Sequence, residues 1–151
     1  MKSLFIVLAF LVITSASFFK PSHKCTKSEL RMSADIVTYF DSFIADSKKY
    51  NFEYDHAYCL DWIKFGHSHK IQGITDLCDG TIQINDRLAK DSIGMKFVIY
   101  HELGHWFGLN HSTGIMKENY NESDTELVKE NWDKLVKNYF NKLKSIQNGG
   151  V

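Results

Sequence analysis

The chain has 151 residues, enough for one domain that buries about two-thirds of its unfolded surface. Its 18 basic and 18 acidic side chains cancel, which argues against the basic footprint of a nucleic-acid binder or of an anionic-membrane binder. Hydrophobic residues at 44% and aromatics at 14% suit an ordinary globular core, and no internal repeat or low-complexity stretch suggests a second domain.

Lys2 precedes an apolar run over residues 4–13, and the small residues Ser15, Ala16 and Ser17 follow. This pattern reads as a secretory signal peptide over residues 1–17, cleaved after Ala16 or Ser17, although Thr14 or Ser15 stands where alanine is favoured. The rival, an uncleaved anchor, needs about 20 apolar residues, and the run is shorter. Residues 18–151 are then expected to form a single secreted domain, extracellular or, in a Gram-negative bacterium, periplasmic. An oxidising compartment makes one disulfide plausible among Cys25, Cys59 and Cys78. Cys59 with Cys78 is the favoured pair because both fall in the expected sheet region; pairing of either with Cys25 stays open.

Residues 18–26 hold the single proline, Pro21, and read as an extended arm. Residues 28–49 read as a helix, with Leu30, Ala34, Val37, Phe40 or Phe43, and Ile44 forming one apolar stripe, and Lys48 and Lys49 near the end where cations suit the helix dipole. The period then changes. Residues 58–65 look like a strand with Leu60 and Trp62 packing inward, followed by a polar turn, Gly66-His67-Ser68-His69. Residues 70–78 and 81–85 read as two further strands joined across Asp79-Gly80, with Ile82 and Ile84 on one face.

Asp91 or Ser92 caps a helix that runs to about Phe107, anchored by Phe97, Val98, Leu103 and Phe107. It carries His101-Glu102-Leu103-Gly104-His105, and the chain continues Trp106-Phe107-Gly108-Leu109-Asn110-His111. Histidines four apart project from one helical face and can share a Zn2+, while Glu102 can reach a metal-bound water. Gly108 allows a backbone conformation that other residues resist, so His111 can swing back as a third nitrogen ligand. Three protein ligands leave a position open, the arrangement of a catalytic zinc. Ser123-Asp124-Thr125-Glu126 reads as a capping box before a last helix with Leu127, Trp132, Leu135, Tyr139, Leu143 and Ile146 at helical spacing. Asn110-His111-Ser112 and Asn121-Glu122-Ser123 match the glycosylation sequon, the first overlapping a ligand.

The eleven-residue string resembles the signature of the metzincin metallopeptidases, and Ser112 after the third histidine is typical of the matrixin branch. The resemblance implies an α+β catalytic domain: a small mixed sheet with a covering helix, a zinc-binding active-site helix and a C-terminal helix. It implies a zinc-dependent endopeptidase in which His101, His105 and His111 hold Zn2+. Glu102 is then the general base and acid toward a zinc-activated water. Met116 is the natural match for the family's methionine turn, although matrixins place more residues between it and the third histidine. An edge strand within residues 70–78 would line the cleft and pair with substrate. The family's second, structural zinc would fall near His67 and His69, with Asp76 and Asp79 downstream, but the ligand set is not recognisable and exposed turn histidines are expected. Cys25 lacks the motif of the family's inhibitory prodomain cysteine, and Tyr120 is displaced from the spacing of the tyrosine that assists at the metal in some metzincins.

The implied partner is a peptide or protein substrate met by a monomer, with no nucleic acid and no membrane after signal removal. Two alternatives stand beside this. A gluzincin arrangement would use Glu122 as third ligand, against the match at Gly108 and His111. A catalytically idle zinc-binding interaction module would not need Glu102.

Overall fold

The computed structural model describes residues 29–68 and 70–149, the side chain of Glu122 excepted. The expected signal peptide, Pro21, Cys25 and His69 therefore lie outside the described residues. Among the described residues the architecture is α+β, with four strands in one mixed sheet and four helices. The strands are β1 (Arg31–Met32), β2 (Trp62–Gly66), β3 (Gly73–Asp76) and β4 (Thr81–Asn85), in the spatial order β1-β2-β4-β3. β1, β2 and β4 run parallel, and β3 returns antiparallel along β4 as an open edge.

The β3–β4 hairpin follows the expected Asp79-Gly80 signal, with a turn over residues 77–80. Asp76 shapes that turn, its Oδ1 accepting from the amides of Cys78 at 2.9 Å and Asp79 at 3.1 Å. Ile82 and Ile84 share the buried face with Ile63, which lies opposite Ile82 in the ladder. Trp62 takes the other face, contrary to expectation. Leu60 is buried, yet it precedes the strand, behind a 3-10 turn at Asp55–Cys59, so it does not set the strand's phase. A one-residue difference in phase moves every side chain across the sheet. Trp62 instead lies between the Arg31 guanidinium, 4.8 Å from its ring centroid, and the Lys64 ammonium at 4.6 Å.

The first helix is shorter than its apolar spacing suggests. α1 spans Ala34–Lys49, because residues 31 and 33 give their amides to the carbonyls of Asp61 (3.2 Å) and Ile63 (3.1 Å) in the sheet. Its stripe is also rotated: Ile36, Phe40, Phe43 and Ile44 are buried, while Ala34 is exposed and Val37 only half-buried. Leu30 is buried, but from the extended segment before the helix.

α2 (Ser92–Trp106) lies under the sheet and is buried on nearly every side from Gly94 to Gly104. Phe43 of α1 meets Tyr100 and Phe107 at ring separations of 5.3 and 6.1 Å, and meets Tyr139 and Phe140 at 6.4 and 5.5 Å. Two phenols tie the layers together: Tyr100 donates to Asp46 Oδ2 and Tyr139 donates to the Tyr100 carbonyl, each at 2.7 Å. Burial and the carboxylate of Asp46 push the Tyr100 phenol far above its ordinary range, so it stays a donor.

The C-terminal helix is divided into α3 (Thr125–Glu130) and α4 (Trp132–Gln147), with Asn131 between them donating its side-chain amide to the Leu127 carbonyl at 2.9 Å. The expected capping box does not form. Asp124 is the N-cap residue, and its carboxylate accepts from Lys117 Nζ at 2.7 Å. The buried stripe runs through Val128, Val136, Tyr139, Phe140 and Leu143, so Tyr139 and Leu143 pack inward as expected while Leu127 is 63% exposed.

The expected Cys59–Cys78 pair is not formed. Cys59 is disulfide-bonded and Cys78 is a free, exposed thiol at the hairpin tip, where the turn holds it out to solvent. Among the described residues no helix is long and apolar enough to cross a membrane.

Candidate metal centre

The helix that bears the site is capped at both ends by its own sequence. Asp91 Oδ1 accepts from the amides of Ile93 (3.1 Å) and Gly94 (2.9 Å), satisfying two of the free donors of the first turn. At the other end the Gly108 amide reaches the His105 carbonyl at 3.0 Å and the Leu109 amide reaches that of Gly104 at 2.8 Å. This is a Schellman closure, and Gly108 supplies its left-handed residue at φ +92°. The chain reverses there and delivers His111.

The three histidines converge. His105 Nε2 stands 3.0 Å from His101 Nε2 and 3.1 Å from His111 Nε2, and one ligand atom from each ring lies within 4.8 Å of the others. Nitrogens at ~2.05 Å from a tetrahedral zinc would be about 3.3 Å apart, so the cluster has the right scale. Their partners fix the tautomers. His101 Nδ1 donates to the Ile115 carbonyl and His105 Nδ1 to the Leu109 carbonyl, both at 2.8 Å. A carbonyl can only accept, so in each neutral ring the hydrogen sits on Nδ1 and Nε2 carries a lone pair. Burial lowers the pKa of His101 to about 4, helped by the neighbouring rings and opposed by the Ile115 bond; burial also lowers that of His105. Two unprotonated nitrogens therefore face each other at neutral pH, an arrangement that favours a cation between them. The donor set fits a borderline-soft divalent metal, and these residues could hold one ion with a position to spare.

A turn at Gly114–Met116 supports the cluster from below. The Ser112 amide closes it on the Met116 carbonyl at 2.8 Å, and Met116 is buried against Gly104, on the helical turn between His101 and His105. From α4, Lys142 Nζ donates to Ser112 Oγ at 2.9 Å and to the Thr113 carbonyl at 3.2 Å, tethering the loop just after His111.

Glu102 is only 4% exposed and lines the same cleft as the three histidines. Burial raises its pKa to about 7, against the opposing pull of a hydrogen bond from Thr75. Thr75 Oγ1 lies 2.7 Å from Glu102 Oε2 and 2.9 Å from the Glu102 carbonyl. The cleft, of about 330 Å³, is bounded by β3 on one side and by residues 117–120 on the other, with Val98, His101 and Glu102 between them. Gln72 spans its rims: Nε2 donates to the Tyr120 carbonyl at 2.6 Å, and the Tyr120 amide donates back to Oε1 at 3.0 Å. Tyr120 itself is buried beside Phe97, with its hydroxyl 2.6 Å from Thr125 Oγ1, so it belongs to the wall.

The backbone register of β3 follows from one bond. The Asn85 amide donates to the Gln72 carbonyl at 2.8 Å, and Gly73 lies opposite Ile84. Bonded and non-bonded pairs alternate in an antiparallel ladder. Ile74 and Asp76 therefore turn their backbone groups toward β4, while Gly73 and Thr75 turn theirs to the open edge.

Sequence reasoning thus placed the three histidines, Glu102 and Met116 in one neighbourhood, and the structure brings them together. It missed Thr75, Gln72, Lys142 and the carbonyls of Leu109 and Ile115. A carbonyl leaves no residue signature, and a threonine in a strand looks like any other β-former. Of the rival ligands, His67 pairs with Asp86 at 3.1 Å on the surface, and the Glu122 side chain and His69 lie outside the description. Among the described residues the histidine trio is the one group of three or more His, Cys, Asp or Glu that could hold a metal ion. Comparison with models of known protein families, with curated proteins and with solved structures finds no match.

Proposed function

We propose that this protein is a zinc-dependent endopeptidase, similar in its site to the metzincins, with His101, His105 and His111 as ligands and Glu102 as general base and acid. The observation that carries the reading is the pairing of oriented imidazoles with a buried carboxylate in one cleft. Zinc at such a site supplies a Lewis acid and lowers the pKa of a water to ~7. The chain supplies the rest. The Leu109 and Ile115 carbonyls hold two imidazoles in the metal-binding tautomer, and such partners also raise ligand basicity. Glu102 takes a proton from the attacking water and passes it to the departing amine. Gly73 and Thr75 offer backbone groups that are unpaired among the described residues, so an extended peptide can add to β3 as a fifth strand. Residues 117–120 confine it from the other side.

Export through an amino-terminal signal is part of the same proposal, and the disulfide at Cys59 suits an oxidising compartment. The test is digestion of a diverse unstructured peptide library by the purified protein. Cleavage at internal bonds should vanish with a chelator and return with zinc. Zinc-loaded, folded protein that cleaves nothing would leave a zinc-binding interaction module instead.

A further inference from the structure

We infer that Thr75 is the positioning residue for Glu102, so that the strand offered to substrate is also the one that aligns the base. The inference rests on the peptidase reading above. Thr75 Oγ1 has one proton and two acceptors within reach, the Glu102 carbonyl at 2.9 Å and the Glu102 carboxylate oxygen Oε2 at 2.7 Å. The ionised carboxylate is the stronger acceptor. Oε1 is left without a hydrogen bond among the described residues, in a side chain that lines the cleft. One oxygen is thereby anchored and the other is free to receive a proton.

Gly73, two residues earlier on the same face of β3, makes the close approach possible. A Cβ there would stand 2.6 Å from Glu102 Oε1 and 2.8 Å from Val98 Cγ1, too near for either to remain. The carboxylate therefore rests on the β3 backbone at Gly73 and is held by the hydroxyl at Thr75. These are the two residues whose backbone groups face the open edge. A peptide that adds to the edge fixes β3, and with β3 it fixes the hydroxyl that orients Glu102. Positioning of this kind acts on the chemical step more than on binding, because a base misplaced by about 1 Å loses most of its advantage.

The experiment compares Thr75→Val and Thr75→Ser with wild type for kcat, KM, zinc content and thermal stability, and repeats Thr75→Val in a Glu102→Gln background. Thr75→Val should lower kcat by about ten- to a hundredfold, the worth of one hydrogen bond to a charged group, with KM nearly unchanged and zinc still bound. Thr75→Ser should restore kcat to within about threefold, because it returns the hydroxyl without the methyl group. With Glu102 already replaced, Thr75→Val should cost nothing further. Active wild type with a Thr75→Val variant of equal kcat, or with a Thr75→Ser variant as impaired as Thr75→Val, overturns this inference alone. A rise in KM at constant kcat does the same, by making Thr75 a binding residue. Wild-type protein with no zinc-dependent cleavage overturns the peptidase reading and this inference with it.

Discussion

The sulfur of Met116 lies where a Cβ on Gly104 would have to stand, in the helical turn between His101 and His105. The same space is approached by Tyr139, whose Cε2 would be 3.1 Å from that Cβ. The turn holding Met116 also carries the Ile115 carbonyl that fixes the His101 tautomer. Gly104→Ala should therefore disturb packing and metal binding together. Overpacking of this kind costs about 1–3 kcal/mol, so thermal unfolding should shift down by several degrees and zinc affinity should fall. Unchanged melting and affinity would show that the methionine turn is not a support for the ligands.

The identity of the third ligand is decided by metal retention. His111→Ala should weaken zinc binding strongly, and Glu122→Ala should leave it near wild type, as competition titration with a chromogenic chelator would show. Retention by His111→Ala and loss by Glu122→Ala would exchange the ligand set for the gluzincin one.

His111 is the most exposed of the three histidines, and its loop is tied to α4 through Lys142. Lys142→Met keeps the aliphatic stem and removes the donor. Outer partners of a ligand typically contribute ten- to a hundredfold in affinity, and a tether one residue removed should contribute about tenfold at most. The expected result is weaker zinc binding with the same fold by circular dichroism. Identical affinity would confine Lys142 to a surface role.

On the proposed reading Glu102 transfers the proton and does not hold the metal. Glu102→Gln should keep zinc and fold while peptide cleavage drops by about 10²–10⁴-fold. Equal cleavage by both proteins would assign the activity to some other group.

The metal-free protein should show a pH dependence that Glu102 dampens. His101, lowered to about 4, stays neutral in the folded state while the unfolded chain takes up a proton below pH 6.5, and burial shifts His105 in the same direction. That difference removes stability as pH falls from 6.5 toward 4. Glu102, raised to about 7, works the other way: its contribution is fully present below pH 4.5 and is lost as pH rises through 7. Between pH 4.5 and 6.5 its bound proton offsets one histidine. Glu102→Gln removes that offset, so chelated variant protein should lose stability on acidification more steeply, by up to ~1.4 kcal/mol per pH unit. Denaturant unfolding of both chelated proteins from pH 7 to 4.5 would read the difference, and parallel curves would refute it.

The helix bearing His101 and His105 was legible because every feature of it is local. Asp91 caps the next turn, the two histidines lie one turn apart, and Gly108 closes the end in a conformation that marks it as glycine. The hairpin was legible for the same reason, from Asp79-Gly80 and the alternation over residues 81–85. Errors fell where a distant partner decided. Residues 30–32 carry helical spacing, yet their backbone is claimed by β2, and the Ser123–Glu126 box lost its cap when Asp124 took that position and paired with Lys117.

By itself, then, the sequence determined the spacing of the three histidines, the acid beside them and the turn that brings His111 round, since all lie within eleven positions and depend on helical geometry and one glycine. Tertiary structure decided which imidazole nitrogen faces inward, because the carbonyls of Leu109 and Ile115 had first to be folded into reach. It also decided that Glu102 is held by Thr75, 27 residues away in sequence and on another element, through a hydroxyl that becomes specific only when β3 is laid against α2. That Cys78 is the free thiol and Cys59 the bonded one was likewise not legible in the spacing of the cysteines. Local periodicity encodes the three histidines; carbonyls folded back from the loop after α2 orient two of them.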